Sequence, residues 1–293
     1  MKPDRASRPR PYRHVGAKWT AGLLLSAVLS LCLVAASLAA ATSEKVVVPA
    51  LSIAMAAAFS PKGLDDATEI AKFEAMLAKS PEGIRPIAGI DVTVTAKDLA
   101  LPPREMRIAF FGKMALPLYR GGPEAFGRLA TNPKNSKKLA DQAGPLGIVS
   151  ASNHNALVVT AVVLGFVAML LAVPLVLFSR GSGRLVSAGI VLMVASLPGS
   201  AVLTLARLAS NRPPPAPPIP EQGIGGMASY VGAQCLPVLL PPMQRVFLMP
   251  LLAGFALLVA AAVGSVVRIV RARRAVLSGE PVGPSEDART GQE

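Results

Sequence analysis

The side chains that could do chemistry are few and scattered. A metal site needs His, Cys, Asp or Glu clustered at ligand spacing. The two histidines are His14, in a basic N-terminal tail, and His154, within Ser152-Asn153-His154-Asn155. An apolar stretch long enough to cross a membrane lies between them, so they face opposite compartments and share no site. His154 reads as a polar interface residue. Cys32 lies inside that apolar stretch and Cys235 in a later loop, at different depths, so no intramolecular disulfide is expected. Cys32 reads as a small packing residue. Asp65 and Asp66 are adjacent and would point apart on a helix, which suits helix capping better than acid–base catalysis. Ser60-Pro61-Lys62 and Ser136-Lys137 each set a hydroxyl near an amine, a pairing too common to assign a nucleophile. The Gly-x-Ser-x-Gly, P-loop and His-Glu-x-x-His patterns are absent. No catalytic, cofactor-binding or metal residue is assigned, and no cofactor is expected.

The elements that would position any site are plainer. Of the 293 residues 52% are apolar and 16% charged, against about 25% charged in ordinary soluble domains. The mean hydropathy is +0.50, and the apolar residues are clustered. Low hydrophobicity, the mark of disorder, is excluded, and two cysteines exclude a disulfide scaffold. A bilayer core of ~30 Å needs about 20 apolar helical residues. Four uncharged stretches qualify: 20–41, 156–178, 185–206 and 246–267. At ~1.5 Å per residue each reaches roughly 33–35 Å. The first is a signal anchor, or a signal peptide cleaved at Ala39-Ala40-Ala41.

Charge sets the orientation. The tail 1–19 carries six basic residues and one acid, the connector 179–184 carries Arg180 and Arg184, and Arg268, Arg271, Arg273 and Arg274 follow the fourth stretch. With four spans all three clusters share one side, and basic flanks are cytoplasmic. The expected location is therefore the plasma (inner) membrane, with both termini cytoplasmic. Segments 42–155 and 207–245 then lie outside, the first nearly balanced with 14 basic and 11 acidic residues. The net charge of +13 sits mostly in these juxtamembrane clusters, where anionic headgroups attract it. Nucleic acid is not an expected partner; the lipid bilayer is.

Segment 42–155 is long enough for one small domain. Asp65-Asp66 open a helical pattern with Ile70, Phe73 and Leu77 on one face, stopped by Ser80-Pro81-Glu82-Gly83. Ile90, Val92 and Val94 alternate with Asp91, Thr93 and Thr95, the pattern of a half-buried strand. A second helix is expected from Arg104 to Tyr119, ended by Gly121-Gly122-Pro123, with a short one over 124–130. The run 46–59 fits a strand paired with 90–95, a core helix or an interfacial segment, and burial is favoured. Thr131 to Asn155 reads as a flexible tether. The expected fold is an α-helical integral membrane protein: four transmembrane helices, with a small α+β extracytoplasmic domain between the first and second.

In the second outer segment Pro213, Pro214, Pro215, Pro217, Pro218 and Pro220 dictate polyproline II. They are a stiff spacer, or a docking site for a proline-recognising partner. Residues 227–240 are weakly apolar and would lie in the interface as a lid. Within the spans, Ala161 and Gly165, and Ala256, Ala260 and Gly264, repeat every four residues and form ridges that let helices approach closely. These serve bundle packing or a homo-oligomer. Pro198-Gly199 could break the third span.

No Asp, Glu, Lys, Arg or His lies inside the four stretches, where ion and proton pathways normally place them. The expected function is a non-enzymatic multi-pass cell-envelope protein that presents its outer domain to an envelope protein partner or scaffolds a membrane complex. The alternative is a component of a transport system. One anchor, an outer domain and three more spans resembles the layout of permease-like proteins of the cell-division ABC type, which implies a partner ATPase. Those proteins carry a longer cytoplasmic stretch for ATPase docking; here the connector is 179–184. A membrane enzyme is the weakest reading.

Overall fold

A computed structural model describes residues 15–60, 62–68, 70–80, 82–87, 89–177, 179, 183–211 and 223–277. Helices α1 (Val15–Ala41), α2 (Glu44–Ala58), α3 (Ile70–Leu77), α4 (Ala96–Leu99), α5 (Pro103–Gly127) and α6 (Pro133–Ala143) lead into a 3-10 helix, Gly144–Val149. Then come α7 (Ala151–Leu177), α8 (Gly183–Ser210) and α9 (Gly223–Leu277). Four of them contain segments long and apolar enough to cross a membrane: Lys18–Ala41, Ala151–Leu177, Gly183–Ser210 and Gly225–Arg271. On α7, Val159, Phe166, Met169 and Leu170 are all more than half exposed. Exposed apolar area in water costs roughly 25 cal/mol per Å², and a bilayer removes that cost. This is a membrane-embedded protein.

The described residues group into two compact units, one from those within 15–29, 167–195 and 249–277, the other from those within 30–166 and 196–248. In the first, Leu25 of α1, Ala168 and Leu175 of α7 and Val191 of α8 form the buried core. Gly22 admits them: a Cβ there would lie 3.8 Å from Leu175 and 4.0 Å from Val191. Helices α8 and α9 touch more closely. A Cβ on Gly189 would stand 2.9 Å from the Gly254 carbonyl oxygen, and one on Gly254 equally close to that of Gly189. Only glycine on both sides allows this approach.

The second unit holds a helical domain over 42–150 and its own core. Leu51, Met55 and Ala56 of α2 pack on Phe110, Phe111, Met114, Ala115 and Leu118 of α5. Val92, Val94 and Ile84 close the core from one side and Tyr230 of α9 from another. Gly122 interrupts α5 at φ 66°, ψ −165°, a backbone region open essentially to glycine alone. Pro123 then restarts the helix with its preset φ. In this unit α8 runs on through Pro198, which does not break it. The Phe247 ring lies where a side chain at position 199 would be, so Gly199 is a seat for that buried ring.

The α+β expectation is overturned: among the described residues there is no strand or sheet, and the domain between the first two spans is helical. The alternation over 90–95 is present as burial, with Val92 and Val94 buried and Asp91 exposed. It reports one covered face, and helices cover it. The segment makes only single antiparallel bridges, Ile84 with Val94 and Ile90 with Ala130. The run 46–59, one of whose readings was its strand partner, is the buried helix α2. The segment read as a tether from Thr131 is α6, the 3-10 helix and the start of α7. The weakly apolar 227–240 is not a separate lid but the first part of α9, which continues through Pro237, Pro241 and Pro242.

Local charge ties the small helices down. Asp98 Oδ2 accepts hydrogen bonds from Thr95 N (2.7 Å), Thr95 Oγ1 (2.8 Å) and Lys113 Nζ (2.7 Å). Lys113 also donates to the Thr93 carbonyl at 3.0 Å, so one clamp fixes the end of the extended segment, α4 and α5. Burial opposes ionisation of Asp98, but the bonds from Lys113 and Thr95 and the Lys113 charge outweigh it and hold the carboxyl below the usual range.

Two outcomes follow for stability. Gly254→Leu forces α8 and α9 apart and lowers stability in detergent by about 1–3 kcal/mol. Gly264→Leu, with nothing within 4 Å of a Cβ there, leaves the thermal midpoint unchanged. Asp98→Asn weakens the clamp by about 1–3 kcal/mol near neutral pH. Because the folded pKa of Asp98 is depressed, its contribution is complete above the unfolded pKa of about 3.9. It is lost as pH falls through the folded value. Melting curves of the two proteins should therefore converge on acidification below that window.

Candidate functional site

A large cleft, an apolar recess and the buried Arg107 mark the second unit. The larger recess is a cleft of about 960 Å³. Its walls are Ile53 of α2, Arg104 of α5, the last turn of α8 at Ala206, Ala209 and Ser210, and α9 from Ala228 to Val238. It forms because α9 extends beyond its most apolar stretch and packs on the helical domain. The Cys235 thiol donates to the Ala50 carbonyl of α2 at 3.3 Å, and the Leu64 amide donates to the Tyr230 hydroxyl at 3.4 Å. Small side chains at 206, 209, 228, 229, 232 and 233 leave the volume open. The polar groups converge at one place. Arg104 Nη2 donates to Gln234 Oε1 at 2.7 Å, and its Nη1 lies 3.8 Å from Asp65 Oδ2. A second polar pair closes the α8–α9 contact, with Arg207 donating to Gln244 Oε1 at 2.9 Å and Gln244 to Thr204 at 3.2 Å.

The smaller recess, about 210 Å³, is apolar and lies in the helical domain among Met55, Phe59, Phe111, Met114, Phe126 and Leu139. Phe59 stacks on Phe111 with ring centroids 5.4 Å apart, and Phe111 meets Phe110 edge-on at 5.2 Å. Yet Phe59 remains 67% exposed. It follows α2 directly as a large exposed aromatic surface.

Arg107 is only 6% exposed. Its guanidinium donates to the carbonyls of Gly63 (2.9 Å), Leu64 (2.6 Å) and Asp66 (2.7 Å). The fork of fixed donors pins the loop before α3 to α5. Asp66 tightens the same loop by accepting from the Thr68 hydroxyl at 2.7 Å and amide at 3.1 Å. These bonds, the hydroxyl's first, lower its pKa. On the domain's far edge Arg120 grips Glu44 through two bonds, 2.7 and 3.1 Å, which hold the Glu44 carboxyl below the usual range. Tyr119 donates to the Thr42 carbonyl beside it at 3.0 Å.

The residues picked from sequence fall as follows. Ala161 and Gly165 meet α1: the Cys32 thiol donates to the Ala161 carbonyl at 3.3 Å, and a Cβ on Gly165 would lie 3.7 Å from Cys32 Sγ. Ala256 and Ala260 are exposed, and no atom lies near Gly264; Gly254 makes the close contact of α9 instead. Pro213, Pro214, Pro215, Pro217, Pro218 and Pro220, and His14, lie outside the described residues. His154 Nδ1 lies 3.0 Å from the Ala39 carbonyl and 3.4 Å from Thr42 Oγ1, at the α1–α7 contact. Cys32 and Cys235 are free thiols. Asp66 caps a turn ahead of α3 rather than the helix itself. Ser60 and Lys62 line a small recess of about 100 Å³ with Arg107, and no hydrogen bond joins them. Among the described residues no three His, Cys, Asp or Glu side chains come together to hold a metal.

Arg104, Arg107 and Gln234 were not singled out from the sequence. Arg107 carried a signal: it falls on the apolar face of the helix, with Met106, Phe110, Phe111 and Met114, where a charge needs buried partners. Gln234 carried none. No family model matches this chain, and neither a curated protein nor a solved structure is significantly similar to it.

Replacing Arg107 with Met keeps the packing volume but strips two buried carbonyls and one half-buried carbonyl of their donor. Hydrogen bonds to a charged group contribute about 1.5–3 kcal/mol each, not additively. Arg107→Met should thus destabilise the domain by roughly 3 kcal/mol and open the 63–68 loop to protease at Lys62 and Lys72. An unchanged digestion rate would show that the guanidinium does not hold the loop.

Proposed function

We propose that this is a non-enzymatic, multi-pass protein of the plasma membrane that presents its helical domain, on the extracytoplasmic side, to an envelope protein partner. The apolar recess beside Phe59 carries this reading. An exposed aromatic at the rim of a pocket the size of one large side chain is the form of a protein–protein anchor site, where a few apolar residues supply most of the affinity. A single Phe left in water forgoes roughly 1.5–3 kcal/mol of burial, which a partner's side chain in the recess would recover. The domain is held firmly enough to act as a platform. Tyr119 bonds to the backbone just after α1, and Tyr230 and Cys235 tie it to α9. Orientation rests on the arginine clusters at 180–184 and 268–274, which favour the cytoplasmic face, with both termini cytoplasmic.

A photo-reactive phenylalanine analogue at position 59, activated in native membranes, should give one discrete heterologous protein adduct. Leu139→Asp, which puts a charge into the recess, should abolish it. Adducts with lipid alone, or with a second copy alone, would overturn the heterologous-partner reading. In intact cells Lys97→Cys should react with a membrane-impermeant maleimide, and Arg274→Cys only after permeabilisation; the reverse pattern would invert the topology.

A further inference from the structure

The cleft walled by α8, α9 and Arg104 is separate from the Phe59 recess and takes a different kind of occupant. We propose that it binds an anionic amphiphile: an acyl chain along the small-residue walls, with a carboxylate or phosphate headgroup on Arg104 and Gln234. The proposal does not depend on the partner reading above.

The volume, about 960 Å³, lies at the upper end of the roughly 300–1,000 Å³ usual for small-molecule sites. The lining is mainly apolar, from Ile53, Ala206, Ala209, Leu236, Pro237 and Val238. One end of the wall is the last turn of α8, where the third apolar stretch gives way to Arg207 and Ser210. A chain entering there comes from the level of the lipid headgroups, the ordinary location of an amphiphile.

The polar end of the cleft selects the sign of the headgroup. Gln234 is 8% exposed as a whole and lines the cleft. A guanidinium only donates, so the 2.7 Å contact with Arg104 fixes Oε1 towards Arg104 and leaves Nε2 facing away from it. Among the described residues Nε2 has no hydrogen-bond partner, and it is not sealed from water. An oxygen of the headgroup would satisfy it. Arg104 has charge to offer. Its close partner, Gln234, is neutral, and its nearest carboxylate, Asp65, is 3.8 Å away and 82% exposed, where water and salt screen it. Two donor-bearing side chains on one cleft wall, one of them charged, match a carboxylate or phosphate on a chain. They offer nothing to a cationic choline group. A phospholipid-derived headgroup and a free fatty acid share this chemistry.

The test is native mass spectrometry of the purified full chain released from neutral detergent, with oleate, oleoyl lysophosphatidate or oleoyl lysophosphatidylcholine added. Wild-type protein should retain an anionic adduct at concentrations at least tenfold below those needed for lysophosphatidylcholine. Preference for lysophosphatidate identifies a membrane phosphate headgroup as the source; equal retention of oleate identifies a free fatty acid. Either supports the site. Arg104→Gln should reduce retention tenfold or more. Gln234→Glu keeps the shape and gives Arg104 an ionic partner, so it should abolish anion retention while leaving the melting temperature equal or higher. A merely structural role for Gln234 would not produce that split. Equal retention of the choline lipid, or unchanged retention in both variants, would overturn the proposal.

Discussion

Helix α9 is longer than a bilayer is thick, and much of the structure answers that fact. It runs unbroken from Gly223 to Leu277, 55 residues, a contour of about 80 Å against a hydrocarbon core of ~30 Å. Residues 246–267 suffice to span. The surplus before them would leave Tyr230, Gln234, Cys235 and Leu240 on a lone helix in water, where a helix of such length is marginal. All four are instead buried. Tyr230 enters the core of the helical domain, Cys235 meets the Ala50 carbonyl and Gln234 meets Arg104. The dependence is mutual. The domain's core, built on α2 and α5, would be open on one side without Tyr230. The short segments α3 and α4 have no buried residue of their own and depend on side-chain clamps from α5, at Arg107 and Lys113.

The spans were legible because the constraint on them is one-dimensional. Lipid offers backbone groups no partner, so a crossing segment must be helical and nearly uncharged for ~20 residues, and the text of the sequence shows that directly. The domain outside them was less legible. Alternation over 90–95 was a true report of one buried face and a false report of a sheet. Period two fixes which side chains are covered, while a sheet needs neighbouring strands, and here the cover is α5. Likewise Pro237, Pro241 and Pro242 look like the end of any helix. A proline removes one amide donor and pushes on the preceding turn, costing ~3 kcal/mol in a bare helix. Packing along the buried face at Tyr230, Gln234, Cys235 and Leu240 offsets that, and propensity could not have foreseen it.

The same limit governs the small-residue ridges. A helix carries several stripes of Ala and Gly, and spacing alone does not say which one a neighbour uses. Ala256, Ala260 and Gly264 repeat cleanly, while within the chain the close contact with α8 is made by Gly254, which faces Gly189. A stripe becomes an interface only through the residue opposite it. For Ala161 and Gly165 that residue is Cys32. For Gly199 it is the Phe247 ring, which explains a Pro-Gly pair that otherwise resembles a break in the helix.

Electrostatics separates the environments of buried Arg107 and half-exposed Arg104. Arg107 faces three carbonyls fixed by the loop they belong to, so its charge is consumed within the fold. Arg104 sits one helical turn earlier on α5 and bonds directly to the neutral amide of Gln234 at the wall of an open cleft. Both lie near the start of α5, and both are held by residues distant in sequence. The difference lies in what each partner leaves over. Three carbonyls accept the guanidinium of Arg107 and offer no further donor, so that site is closed. Gln234 accepts one bond from Arg104, and both residues line the cleft, so that wall carries a positive charge and an amide N–H group. A stabilising contact uses up its hydrogen-bonding capacity. On the amphiphile proposal, the positive charge left over the cleft sets the sign of the ligand.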